Sequence, residues 1–242
     1  MKKLFIVLIG LFVFSQVEAK TLGQIRSDIR YKIGDSTMTV SAQKWSDGEL
    51  NIRINDVQRN IAQYTRCIYV SSITTPLSEV REYPRPPKCI SIDRVSFLQT
   101  TSTTSYKKLE AKTIGGLDVQ FTGGWENNTS GRPQYYYERG NWIGFERPVS
   151  AAVAASTGAI KIDYFKYPED MTSDSDTPFD GVDFLQLYGD IITLGVAGSC
   201  KQDENKDNTA IMTDYTSKIN LMLSSLQTKS DQNVQHISIG GK

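Results

Sequence analysis

WSDGELNIRINDVQRNIAQYT, Trp45–Thr65, decides the fold class. Ser46 followed by Glu49 has the pattern of a reciprocal helix cap. The hydroxyl accepts from the backbone three residues on, and the carboxylate reaches back to the Ser46 N–H. Asp47 and Glu49 also place negative charge at the positive end of the helix dipole. Leu50, Ile54, Val57, Ile61 and Tyr64 then recur at spacings of four, three, four and three, which is one apolar stripe of a helix. Arg53, Asp56, Arg59 and Asn60 fall away from it, on a face for solvent or a protein partner. Such a helix packs its apolar stripe on one core.

Upstream, Thr21-Leu-Gly-Gln24 is a second capping box, with Leu22, Ile25, Ile29 and Ile33 at helical spacing and Gly34 as the stop. Downstream the text changes to short runs between turn residues. CIYVSSITT, CISIDRVSF, QYYYERG, NWIGFE and AIKIDYFKY read as strands. Gly115-Gly116, Gly123-Gly124 and Gly131-Arg-Pro133 mark loops, and Pro84, Pro86 and Pro87 exclude a central strand there. Helical spacing returns over Phe179–Cys200 and again with Ile211, Tyr215, Ile219, Met222 and Leu226. The expected fold is α+β: a four-helix unit from the N- and C-terminal helices, with an inserted antiparallel β-domain. Residues 1–19 form a signal-like segment, 20–66 with 168–229 the discontinuous helical domain, 67–167 the β-domain and 230–242 a flexible tail. The expected helix-packing core is Leu50, Ile54, Val57, Ile61, Tyr64, Ile211, Tyr215 and Met222.

Among the 242 residues, 27 are basic and 27 acidic. Residues 1–19 hold Lys2, Lys3 and Glu18, so the remainder carries 25 basic against 26 acidic side chains. That balance gives no global attraction to nucleic acid or to an anionic membrane. Lys2-Lys3, the apolar run Leu4–Phe14 and the small residues around Val17-Glu18-Ala19 resemble a secretory signal, too short to span a bilayer comfortably. Cys67, Cys89 and Cys200 have no metal spacing; they allow one bridge, Cys67–Cys89, or three free thiols.

Catalytic equipment is sparse. His236 is the single histidine and lies near the end of the chain, which argues against His-dependent catalysis. GLDVQFTGG lacks the lysine of a phosphate cradle. Asp174-Ser-Asp176 reads as turn chemistry ahead of Pro178 rather than as a metal site. Asp203–Asp214 partly matches a calcium loop, but its sixth position is Asn208 instead of glycine, and Ile211 and Tyr215 already belong to a helical stripe. In Tyr135-Tyr136-Tyr137, strand alternation sends the middle ring to one face and its neighbours to the other.

Five segments in order resemble the head-to-tail adaptor (connector) proteins of tailed, particularly short-tailed, bacteriophages: TLGQIRSDIRYKIGD, KWSDGELNIRINDVQRNIA, YPRPPKCISIDRVSF, SGRPQYYYERGNWIGFERPVSAA and IKIDYFKYPEDMTSDSDTPF. The resemblance covers about residues 21–228. It implies a non-enzymatic virion protein, assembled in the host cytoplasm without a cofactor. It implies a homo-oligomeric ring, commonly of twelve copies, joining the portal protein to the tail (nozzle) protein. DNA would pass the ring without specific binding, and the mature chain would have no stable membrane association. The signal-like segment departs from the family pattern and keeps a rival open, an exported periplasmic or secreted binding module. A carboxylate-only enzyme is a third class, for which no residue pair stands out. In the tail, Val234, His236, Ile237 and Ile239 lie in a β-prone stretch; related connectors dock a C-terminal extension on the portal, so strand addition to the portal is the expectation here.

Overall fold

The computed structural model describes residues 19–36, 42–98, 105–155 and 158–238. The chain is mixed α+β, with seven α-helices and two four-stranded sheets among the described residues.

Helix α1 (Leu22–Ile33) starts at Thr21 and helix α2 (Asp47–Thr65) at Ser46, each with both halves of its capping box formed. Ser46 N–H donates to Glu49 Oε2 (2.8 Å) and Glu49 N–H donates to Ser46 Oγ (3.2 Å). Gly34 ends α1 at φ 83°, where a side chain would be strained. Helices α6 (Gly189–Asp203) and α7 (Thr209–Ser238) return from the other end of the chain. One apolar core joins them: Leu22, Ile25 and Ile29 from α1, Leu50, Ile54 and Ile61 from α2, Ile192 and Val196 from α6, Met222 from α7. Helix α6 is buried on almost every side, from Ile191 to Gly198. Its glycines are the reason neighbours can close on it. A Cβ on Gly195 would sit 2.9 Å from both Val57 and Tyr215, and one on Gly198 would sit 2.5 Å from Met212 Sδ.

Three helical expectations need correction. Tyr64 is 68% exposed, outside the core. The buried face of α2 runs through Asn55, Gln58, Ala62 and Thr65, so it is turned by roughly half a quadrant or more from the apolar stripe, and Thr65 takes the place expected for Tyr64. The helix expected from Phe179 is broken into a 3-10 turn (Phe179–Gly181), a short α5 (Asp183–Gln186) and α6, because Phe179, Asp180 and Gly181 have φ of 54°, 57° and 70°. The backbone of Val234, His236 and Ile237 is helical within α7, where a β-prone tail was expected; a helix already nucleated upstream extends residue by residue at small cost. Ile239 lies outside the described residues.

The first sheet has the order β1 (Tyr69–Thr74), β8 (Ile160–Lys166), β3 (Cys89–Leu98), β4 (Tyr106–Lys108), all antiparallel. The second has the order β2 (Glu82–Pro84), β7 (Trp142–Phe145), β6 (Tyr135–Arg139), β5 (Glu110–Ala111). Its β5–β6 pairing is parallel, an exception to the antiparallel expectation. Pro84 ends an edge strand, the place where a missing N–H is tolerated. Phe97 of β3 meets Phe145 of β7 edge-on across the sheets (6.1 Å) within a core that includes Val95, Tyr136, Ile143 and Ile162. As the alternation required, Tyr136 enters that core while Tyr137 turns to the other face, against Trp125 (5.2 Å). Gly115 and Gly116 form no loop. They sit in α3 (Ile114–Gln120), capped by Thr113 and anchored by buried Leu117. A further short helix, α4 (Ala151–Ala154), precedes β8.

Candidate functional site

Of the expected helix-packing residues, Leu50, Ile54, Ile61 and Met222 are buried in the helical core, with Val57, Ile211 and Tyr215 packed against it. The polar side of α2 does more than face solvent. Arg53 donates to Ser199 Oγ (2.9 Å) and Asp203 (2.6 Å) of α6 and lies over the Trp45 ring at 4.3 Å. Arg59 pairs with Asp56 and Asp170, both at 2.6 Å. Two polar residues of α2, Asn55 and Gln58, are buried and clamp the connector between β8 and α5. Asn55 exchanges two bonds with Met171 (2.9 and 3.0 Å). Gln58 donates to Glu169 O (3.1 Å) and accepts from Phe179 N–H (2.7 Å).

That connector is acid-rich, yet its charge is spent locally. Asp174 is held by Arg26, Asp170 by Arg59, Glu169 by Lys88 and Asp180 by Lys166. Asp176 accepts from the Thr172 and Ser173 N–H groups, and these bonds hold its carboxyl below the usual range. This is turn chemistry at Asp174-Ser-Asp176. At the α6–α7 junction Glu204 collects Lys206 (2.5 Å), Lys44 (3.3 Å) and the Trp45 indole (3.1 Å); the Lys206 bond leads in lowering its pKa. Asp207 caps Thr209 N–H (3.0 Å), so the stretch tested against the calcium pattern is a helix exit and a helix entry. No group of three His, Cys, Asp or Glu side chains able to hold a metal occurs among the described residues. All three cysteines are free thiols, and burial pushes those of Cys67 and Cys200 up to about 11, leaving them poor nucleophiles at neutral pH.

The outer face of the first sheet is apolar at its edge. Tyr69 (49% exposed) and Ile73 (60%) alternate with inward residues of β1, and the Tyr69 ring packs on Phe165 of β8 at 5.2 Å. Between them Ser71 bonds to buried Asp163. The sequence marked β1 as a strand but gave no sign that it would be an edge. Nothing in these surfaces assembles a nucleophile, a base and a pocket.

A family model described as SU10 adaptor protein matches residues 20–237. The chain belongs to this family. Members are structural head–tail adaptors of phages, so the present adaptor is a phage structural protein placed in the virion. The match takes in all four long helices and both sheets. The short-tailed detail of the expectation is not part of what the match carries, and the exported binding module gains no support. Comparison with curated proteins gives no match. No described helix is long and apolar enough to cross a membrane; all but Ala19 of the signal-like segment lies outside the described residues.

Proposed function

We propose that the adaptor forms a homo-oligomeric ring, of twelve copies, between the portal and the tail of a short-tailed phage, and that DNA passes through it without catalysis or a cofactor. The observation carrying this reading is the adaptor-family match over residues 20–237. A ring of identical copies needs two unlike faces on each subunit. The apolar outer face of β1 and the charged surface along α2 and its connector are unlike in this way. In this reading residues 20–66 with 168–229 act as a four-helix unit, and 67–167 as an inserted β-domain that reaches a neighbour. The end of α7 and the residues after it, including Val234, His236, Ile237 and Ile239, meet the portal.

The test mixes the chain with the portal protein of its own phage and images the product by electron microscopy. A closed ring capping the portal is expected; a chain that stays monomeric on the portal overturns the reading. Deleting residues 230–242 should abolish attachment while leaving thermal unfolding of the subunit nearly unchanged. Undiminished attachment removes the tail assignment and leaves the ring in place.

A further inference from the structure

The meeting line of the two sheets holds a cleft of about 560 Å³, lined by β4 on one side and by β5 and the approach to β6 on the other. Phe97 and Leu109, both buried, line its apolar part. Lys107, Lys108 and Arg132 supply its charge. Elsewhere on the subunit, cations such as Arg26, Arg30, Arg53, Arg59 and Lys166 are held by carboxylates. Among the described residues these three make no ion pair and no side-chain hydrogen bond. The one carboxylate on the cleft wall, Glu110, is already taken by Lys112 at 2.6 Å. Arg132 adds a second and independent sign: its Nε is shielded from solvent and has no acceptor. A buried donor without a partner is uncommon in a finished structure and leaves this guanidinium uncompensated; with Nε closed to solvent, its outer nitrogens are the ones a ligand oxygen can meet.

The cleft is therefore short of anionic oxygen. An acidic segment of a second copy is a poor supplier, because the acid-rich connector of this chain spends its carboxylates on Arg26, Arg59, Lys88, Lys166 and backbone N–H groups. A phosphodiester backbone offers regularly spaced oxygens with no internal cation to compete. Arginine suits it through its planar fork, and lysine as a point charge. We propose that Lys107, Lys108 and Arg132 form a sequence-independent contact for the phosphates of duplex DNA. This rests on the reading of the chain as an adaptor that DNA traverses. Three cations per copy, on a subunit whose charges nearly balance as a whole, give a contact that guides without gripping, since non-specific affinity grows with the number of phosphates neutralised.

The experiment uses the full chain alone, so it is independent of ring closure and of the portal. A fluorescent duplex of about 24 base pairs is titrated with protein by anisotropy, from ~20 to ~150 mM salt. The plot of log affinity against log salt is expected to have a slope near −2.7, roughly −0.9 for each of three phosphate contacts. The variant Lys107→Gln/Lys108→Gln/Arg132→Gln should bring that slope close to zero, weaken binding about tenfold or more at the lowest salt, and unfold at the parent temperature. A control, Lys32→Gln/Arg66→Asn/Lys201→Gln, removes the same formal charge from side chains that also lack ion pairs, and should keep the slope. The assignment falls if the parent shows no salt-dependent binding, if the cleft variant keeps the slope, or if the control loses as much. It also falls if the cleft variant loses attachment to the portal or to other copies while its DNA slope is unchanged, which would give the cleft to a protein partner.

Discussion

Gln58 offers a measurable test of how α2 holds the rest of the subunit. Its side chain is fully buried and bridges two backbone groups more than a hundred positions away, Glu169 O and Phe179 N–H. The second group belongs to a turn in which Phe179 and Asp180 both have positive φ, a conformation that bulky residues avoid and that persists only where surrounding contacts impose it. Replacing Gln58 by Met preserves length, helix propensity and approximate volume while deleting both bonds. The Phe179 N–H, left without an acceptor in the interior, costs about 1–3 kcal/mol. The lost bond to Glu169 adds ~0.5–1.5 kcal/mol, and the more apolar side chain returns up to ~1 kcal/mol. A net loss of about 2–3 kcal/mol follows, which for a chain of this size corresponds to a drop in Tm of roughly 4–12 °C. Urea unfolding followed by circular dichroism and tryptophan fluorescence would read it. Gln58→Glu is the companion variant. It keeps an acceptor for Phe179 but sets a carboxylate against the Glu169 carbonyl, so its penalty should shrink as the medium is acidified and the carboxyl protonates. A Met variant within ~0.5 kcal/mol of the parent would refute the clamp.

Gly144→Ala should destabilise by about 2–4 kcal/mol, because a Cβ there would lie 2.1 Å from Tyr137 Cζ and displace a ring that bonds Glu82 (2.8 Å) and packs on Trp125. In a Tyr137→Ala background the added cost of Gly144→Ala should almost vanish, and equal costs in both backgrounds would show that the ring is not the obstacle. Gly195→Val should cost about 2–3 kcal/mol in chemical denaturation by forcing Val57 and Tyr215 off α6, whereas a neutral result would mean that the helices are not in close contact. On the acid side, a hydrogen bond from Lys20 depresses the carboxyl of Asp190, and one from Arg30 depresses that of Asp47. Their stabilisation is complete above the unfolded carboxylate pKa of ~3.9 and drains away as pH falls through the lower folded values. Lys20→Met should therefore lose up to about 1 kcal/mol at neutral pH, a figure kept small by solvent screening, and its stability should converge with the parent near pH ~2.

What the sequence disclosed was local. Thr21/Gln24 and Ser46/Glu49 announce two helix starts because each cap closes within four residues. The strand runs were legible for the same reason, since alternation is written in consecutive positions. The buried roles of Asn55 and Gln58 were hidden, because a polar residue is driven inside only by a partner, and here the partner is backbone far along the chain. That hidden pair also turned the buried face and left Tyr64 outside. The two-residue β5 is too short for any periodicity, so its parallel pairing could not be foreseen. Lys107 and Lys108 carry no motif, and only the approach of the sheets sets them beside Arg132.

The central position of α6 has a consequence for the order of events on the ribosome. Both N-terminal helices need α6 to cover their apolar sides, yet the whole β region is translated before α6 exists. At ~5–20 residues per second the wait is on the order of ten seconds, during which the stripes on α1 and α2 lack their principal cover. The sheets close on partners nearer in sequence and can gather first. Assembly of the nascent subunit would then run from the middle outward. The window before α6 emerges is when holding chaperones would find the most apolar surface, and a stall in translation after β8 would leave a folded β region trailing two sticky helices.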